Sequence, residues 1–443
     1  MKPTLNGWLL LCCLLTSKPL CWAEECHVGV ARVDLTPPLA MKAALGGYSA
    51  RLSRPAQGVH DRVWAKALTL EVNAKRFVLV TVDALAFPPP VKPALLARLQ
   101  QLHVNVDELL LLPSHTHNSI DMLALHPQNR FKVPQLGIYH AELYEHTIAK
   151  LAEVIQESCL KREPARFVAL RQKLQGWNRN RRGGLTVDPD LTLLRIDRTD
   201  GRPLAVLVNF TAHPTLLGPS EMLFSGDWPG ALQRAMEERI GNGVTVLYHN
   251  GAQGDLSPTP REENAPAYEK AETYGRALAH MAYTLWQQGE GQTQAPKLIA
   301  WHKTTFPLPP KVRHPKLLPS TSWTNDLLAG TFDQMLKELL PASSHSVCLR
   351  IDDWLIVGVP GEFAAELGLD IKRRVAKATG VRFVVIGGLA DEWLSYFLTE
   401  AEYQRSGYET TLSYFGPDAG PKLVDAIVHG ALHLKPTPAN PSK

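Results

Sequence analysis

The run Glu108-Leu109-Leu110-Leu111-Leu112, followed by Pro113-Ser114-His115-Thr116-His117, decides how the rest of the chain is read. Four leucines between a charged residue and a proline have the pattern of a short buried strand. Upstream, residues 77–82 form another apolar run and residues 91–102 carry the spacing of an amphipathic helix. Strand, helix and strand in this order predict a β-α-β unit that ends at the histidine pair. Residues i and i+2 of an extended segment point the same way, so His115 and His117 can face one pocket from a rigid support. That is a start for a metal centre, one imidazole binding and the other assisting, although a lone pair of this kind also reads as two polar residues in a loop mouth.

Working outward, residues 28–35 alternate towards Thr36-Pro37-Pro38 as a strand stopped by prolines. Residues 64–72 and 77–82 read as a hairpin joined through Asn73-Ala74-Lys75. Asp83 follows at a strand's carboxyl end, as a functional group or as the N-cap of the helix after Pro88-Pro89-Pro90. The irregular stretch 117–137 reads as an active-site loop, and residues 139–160 as a helix. Strands at 167–170 and 191–196 flank the basic run Asn178-Arg179-Asn180-Arg181-Arg182-Gly183-Gly184, either a solvated face or an anion site.

A further strand, 204–210, ends in Thr211-Ala212-His213-Pro214, and Asp227 is placed to cap the next helix. The strand 244–248 runs into Asn250-Gly251-Ala252-Gln253-Gly254-Asp255-Leu256-Ser257-Pro258, whose glycines permit close backbone approach. Then come a helix at 265–288, a strand at 298–306, a proline-rich crossing loop at 307–323 and a hairpin at 347–358. Pro360-Gly361-Glu362 leads into a helix at 363–376; a last strand at 381–386, a tyrosine-rich segment and a helix at 421–433 follow. The expected fold class is mixed α/β: one large catalytic domain of mixed β-sheets flanked by helices, with its site at strand ends.

The chain has 443 residues, 45% hydrophobic and 20% charged, an ordinary globular balance. Its formal charge of +4 includes Lys2 and Lys18, so no electrostatic case for a nucleic-acid partner exists. Lys2, the apolar run 8–15 and Cys21-Trp22-Ala23 form the pattern of a signal peptide over 1–23, which places the mature protein outside the cytoplasm, secreted or periplasmic. Pro19-Leu20 before Cys21 speaks against lipidation. The hydrolase domain is expected over 24–435 and a polar tail over 436–443. Beyond the leader, Cys26, Cys159 and Cys348 allow at most one disulfide and lack zinc-finger spacing, so a metal site must use His and oxygen ligands.

Strand ends thus carry His115 with His117, His213, Ser257 and Glu362, enough for a zinc site of two His and one carboxylate with an open position. The ordered motifs Ser114-His115-Thr116-His117, Thr211-Ala212-His213-Pro214, Gly254-Asp255-Leu256-Ser257-Pro258, Pro360-Gly361-Glu362-Phe363 and the tyrosine segment resemble the neutral/alkaline (non-lysosomal) ceramidase family. The resemblance covers residues 28–417. It implies one zinc ion per chain, held by His115, His213, Glu362 and Tyr396. It also implies that Tyr408, His117 and Arg179 face the reacting carbonyl, and that Ser257 acts as nucleophile or supporting group. The implied reaction is hydrolysis of the N-acyl amide bond of ceramide or a similar lipid, with transient membrane-surface contact. Two departures stand out: Asn118-Ser119-Ile120-Asp121 replaces the family's Ser-Gly-Pro-Gly type loop, and the chain stops soon after the tyrosine segment, where family members carry a further β-sandwich domain. Two alternatives from the residues alone are a two-metal esterase or phosphoesterase drawing on Asp83, Asp227 and Asp255, and a secreted binding protein with a vestigial site.

Overall fold

A computed structural model describes residues 26–317 and 323–435. The expected leader, 1–23, and the polar tail, 436–443, lie outside the described residues. The first half forms β1 (Cys26–Asp34), β2 (Gly58–Val59), β3 (Trp64–Val72), β4 (Lys75–Val82), α1 (Val91–Gln101), β5 (Glu108–Pro113), α2 (Ala141–Leu160), β6 (Arg162–Lys173), β7 (Asn178–Asn180), β8 (Asp190–Arg198) and β9 (Pro203–Asn209). Next come β10 (Leu223–Phe224), α3 (Asp227–Ile240), β11 (Thr245–His249), β12 (Leu256–Pro258), α4 (Ala267–Gln287), β13 (Ile299–Pro307) and α5 (Trp323–Leu339). The last part holds β14 (Ser343–Ile351), β15 (Trp354–Gly358), β16 (Glu362–Phe363), α6 (Ala365–Thr379), β17 (Phe383–Gly387), β18 (Tyr396–Phe397), α7 (Glu400–Gln404), α8 (Tyr408–Thr411) and α9 (Ala419–Ala431).

Twelve of these strands make two mixed sheets, in the orders β11-β9-β8-β6-β1-β3-β4-β5 and β13-β14-β15-β17. The strands are apolar almost throughout because each serves two cores at once. Along β4, Phe77 and Leu79 join the core between the sheets, while Val78, Val80 and Val82 face α1 and α2. Along β15, Trp354 and Ile356 enter the shared core, while Leu355 and Val357 meet α6 and α9. The result is four layers: helices, eight-stranded sheet, four-stranded sheet, helices. Such double burial suppresses the alternation of a half-exposed strand and leaves the continuous leucine run.

The β-α-β unit forms as expected, with β4 and β5 parallel and Val82 paired to Pro113. The expected hairpin is present too: Asn73 and Ala74 both adopt positive φ, the conformation of a tight two-residue turn between β3 and β4. One helix is unanticipated, and two expectations fail in detail. Residues 323–339, passed over between the crossing loop and the hairpin, are the helix α5. Asp227 is the first residue of α3 and not its cap; its carboxylate accepts from Trp228 N at 2.6 Å and Leu217 N at 3.2 Å. Asp83 caps no helix, since its oxygens accept from Trp64 N at 3.0 Å and Gln233 Nε2 at 2.9 Å, joining β3, β4 and α3. Cys26, Cys159 and Cys348 are all free and buried. Among the described residues no helix is long and apolar enough to cross a membrane.

Candidate metal centre

The chain leaves β5 through Ser114 into His115, which sits at φ 74° with its backbone N–H on Ala84 O at 2.9 Å. Its Nδ1 lies 2.7 Å from Leu85 O. A carbonyl only accepts, so the ring carries its proton there and turns the Nε2 lone pair inward. His213, after β9, repeats the device with Nδ1 at 2.7 Å from Gln253 O and 3.1 Å from Leu256 O. Here the glycine loop after β11 acts, presenting those carbonyls behind the imidazole.

Glu362 and Tyr396 arrive by a different route. β16 and β18 pair in parallel with Glu362 opposite Tyr396, so two residues 34 positions apart project side by side. Gly361 at φ 108° makes the turn into β16. Glu362 Oε1 accepts from Trp393 Nε1 at 2.8 Å, leaving Oε2 at 3.3 Å from His115 Nε2 and 3.0 Å from His213 Nε2. Tyr396 Oη stands 3.5 Å from His213 Nε2.

His115 Nε2 and Glu362 Oε2 are buried without a hydrogen-bond partner, as are both ring nitrogens of His117. Buried lone pairs converging while carbonyls and an indole hold the far sides is the donor arrangement of a metal site, and imidazole with carboxylate suits zinc. The ligand atoms of His115, His117 and His213 all lie within 4.8 Å of one another. His117 packs its ring on Tyr48 at 4.8 Å and on His115 at 4.9 Å. Gly47 leaves the room for it: a Cβ there would come 2.3 Å from His117 Nδ1.

Burial first, with Arg181 adding to it, lowers the His213 imidazole to about 4, so it is neutral at pH 7 and free to ligate. Burial likewise holds His117 well below the usual range. Burial alone would raise Glu362, but the facing His115 and His213 keep it well below the carboxylate range. Burial and the Glu362 charge push the Tyr396 phenol well up.

His115, His117, Glu362 and Tyr396 floor a cavity of about 370 Å³ whose walls include Leu85, Met122, Phe332, Met335, Leu336 and Trp393. Tyr408 stands in its wall, 60% exposed and 6.0 Å from the Tyr396 ring. The 117–137 stretch does wall the cavity, through Asp121 to Leu123 and Pro134 to Leu136. Two expected residues lie elsewhere. Arg179 is exposed on β7, and Ser257, its partner on β12, is half-buried and absent from the cavity lining. The arginine at the site is Arg181, which donates to Tyr396 Oη at 3.2 Å and Gly254 O at 2.8 Å and is held by Glu409 at 2.7 Å. Arg182 pairs with Glu402 at 2.8 Å and Glu409 at 2.7 Å, so the basic run is largely turned inward.

Arg51 also escaped sequence reasoning. Fully buried, it donates to the carbonyls of Gly46, His117, Gly218 and Glu221 and to Asn118 Oδ1. No local pattern marks such a residue, because its partners lie up to 170 positions away. Trp393, three residues before Tyr396, carried one weak signal: an aromatic within the tyrosine segment. Asp83, Asp227 and Asp255 do not join the cluster; Asp255 accepts from Ala365 N and Asn180 Nδ2, both at 2.7 Å.

Comparison with known proteins sets this geometry in context. Residues 26–270 match the family described as neutral/alkaline non-lysosomal ceramidase, N-terminal. The neutral ceramidase of Pseudomonas aeruginosa is 22% identical over 498 residues, spanning 94% of this chain and 73% of that protein. The neutral ceramidase of Drosophila melanogaster is 22% identical over 513 residues, spanning 88% and 72%. In three dimensions the crystal structure of the Pseudomonas aeruginosa enzyme superposes with a TM-score of 0.79 at 19% identity, covering 94% of this chain and 76% of that one. A ceramidase complexed with C2 superposes at 0.78, also at 19% identity, covering 95% and 77%. These superpositions establish the fold.

Proposed function

Because this chain belongs to the neutral/alkaline non-lysosomal ceramidase family, we propose that it is a zinc-dependent amidohydrolase cleaving the N-acyl amide bond of ceramide or a ceramide-like lipid into fatty acid and amine. The observation that carries this reading is the convergence of His115 Nε2 and His213 Nε2 on Glu362 Oε2, with His115 and Glu362 lining the floor of an apolar cavity and His213 buried just behind them. One zinc ion would be held by His115, His213, Glu362 and Tyr396, with His117 near enough to exchange roles. Bound there, it would supply Lewis acidity and a water activated near neutral pH.

The protein's own groups do the rest. The apolar walls take the acyl chain and exclude water, which strengthens each polar contact at the floor. His117, kept neutral by burial and with both nitrogens unpaired, is the group that can take up the proton released by the attacking water at one ring nitrogen and then give a proton to the departing amine. The Tyr408 hydroxyl, at the cavity wall, can donate to the developing oxyanion, as the exposed Arg179 could only by reaching in. Arg181 holds Tyr396 from behind, and the backbone of Ser257, paired with Arg179 between β12 and β7, follows Leu256, whose carbonyl backs His213. The leader pattern over 1–23 supports action outside the cytoplasm, at transient contact with a lipid surface.

Purified protein assayed on N-acyl-sphingosine and N-acyl-amino-acid panels, with metal content measured in parallel, tests the reading. Turnover of acyl-sphingosine with one zinc per chain, lost on chelation and restored by zinc, is the expected outcome. No turnover of any acyl amide by zinc-loaded protein would overturn it.

A further inference from the structure

Three histidines outside the cavity come together on the outer face of the four-stranded sheet, and nothing in the chemistry above uses them. β13 is the edge strand of that sheet, and Ala300, His302, Thr304 and Phe306 alternate onto one face of it. Phe306 and Ala300 on this face pack with α9. The helix comes down hard beside them, since a Cβ on Gly430 would meet Thr304 Oγ1 at 1.9 Å. His429 and His433 lie four residues apart where α9 tightens into the 3-10 turn Leu432–Leu434, a spacing that puts both on one side. His302 stacks on His433 with ring centroids 4.2 Å apart, and His429 meets His433 edge-on at 6.0 Å. Arg350 Nη1 pins the turn by donating to Leu434 O at 2.7 Å.

We propose that His302, His429 and His433 form a second, surface site for a divalent transition ion of the imidazole-preferring kind, such as Zn²⁺, Ni²⁺ or Cu²⁺. An i, i+4 histidine pair offers two lone pairs to one point, and the strand histidine beneath supplies the third. Burial, then the proximity of His433 and His429, lowers the His302 imidazole, so its lone pair is available at neutral pH. Closing the site requires the exposed His429 and His433 to turn between staggered rotamers and break the stack, a small cost against three metal bonds. Ca²⁺ and Mg²⁺ are poor candidates, because they select oxygen donors. The ion would tie the C-terminal turn to the sheet edge, as a brace remote from the reacting atoms.

The test is equilibrium dialysis of the full chain, prepared without a histidine tag, against Zn²⁺, with bound metal counted by elemental analysis. Wild type is expected to hold one equivalent more than His429→Ala/His433→Ala, whose substitutions are at exposed positions. The difference is independent of the cavity site, so failure of either reading is recognised separately: acyl-amide turnover should be equal in both proteins. His302→Phe, which preserves the stack, should lose the same equivalent. Equal metal content in wild type and the double variant would overturn the proposal, as would retention of the extra equivalent by His302→Phe.

Discussion

The four proposed ligands differ in how they are held, and substitutions should reveal it. His213→Ala and Glu362→Ala each remove a donor from a closed set and are expected to lose metal and turnover together. Full zinc occupancy in both would refute the ligand set. Ser257 lies outside the cavity lining and pairs with Arg179 through the backbone, so Ser257→Ala should keep its zinc and lose little rate. A fall of roughly 10⁴-fold or more would mark a nucleophile instead. Trp393→Phe removes the N–H donated to Glu362 Oε1, along with part of the ring that lines the cavity, and should weaken zinc about 10- to 100-fold, read by competition with a chelator. Unchanged affinity would mean that the carboxylate is oriented by other means. These residues were unevenly legible in the sequence. The ligands stood in short motifs at strand ends, whereas Trp393, Arg181 and Arg51 act through partners that only the folded chain brings near.

At the scale of elements, α5 and the junction at Asp83 carry the sharpest expectations. α5 contributes Phe332, Met335 and Leu336 to the cavity wall, so Met335→Trp should shorten the acyl chain that fits. kcat/KM for long-chain substrates should drop by roughly tenfold or more, on the scale of about 1–3 kcal/mol per displaced methylene contact, while short-chain substrates change little. Equal loss for both lengths would put the chain elsewhere. Asp83 is raised to about 6 by burial, partly offset by Lys66. In the unfolded chain this carboxyl titrates at about 4, so between these values the folded state binds more protons and stability falls as pH rises, by on the order of 3 kcal/mol. Asp83→Asn keeps one acceptor for Trp64 N and allows Gln233 to flip, so it should flatten the unfolding free energy between pH 4 and 6. An unchanged slope would assign the titration to another group. α5 was missed although residues 327, 328, 332, 335, 336, 339 and 340 follow a helical period, because the prolines before it read as one long connection.

For the whole molecule, two sheets packed face to face and covered by helices build the rim on which strand ends meet. The imidazoles are oriented by carbonyls and the carboxylate by an indole, all of them groups of the chain itself. Chelated protein is therefore expected to retain its far-UV dichroism while its Tm drops in proportion to the logarithm of free zinc over Kd. Collapse of secondary structure on chelation would show that the metal organises the fold. What the sequence by itself determined was the inventory: buried strands, the β-α-β unit, the helices of clear period and the residue types at strand ends. These are local properties, since hydrophobic periodicity and turn chemistry act within a few residues. Only the tertiary structure decided which ends converge. Pairing of β16 with β18 set Glu362 beside Tyr396, and the inward turn of the basic loop made Arg181, not Arg179, the neighbour of that phenol. Both depend on sheet register and on ion pairs across more than 200 residues, which no local pattern encodes.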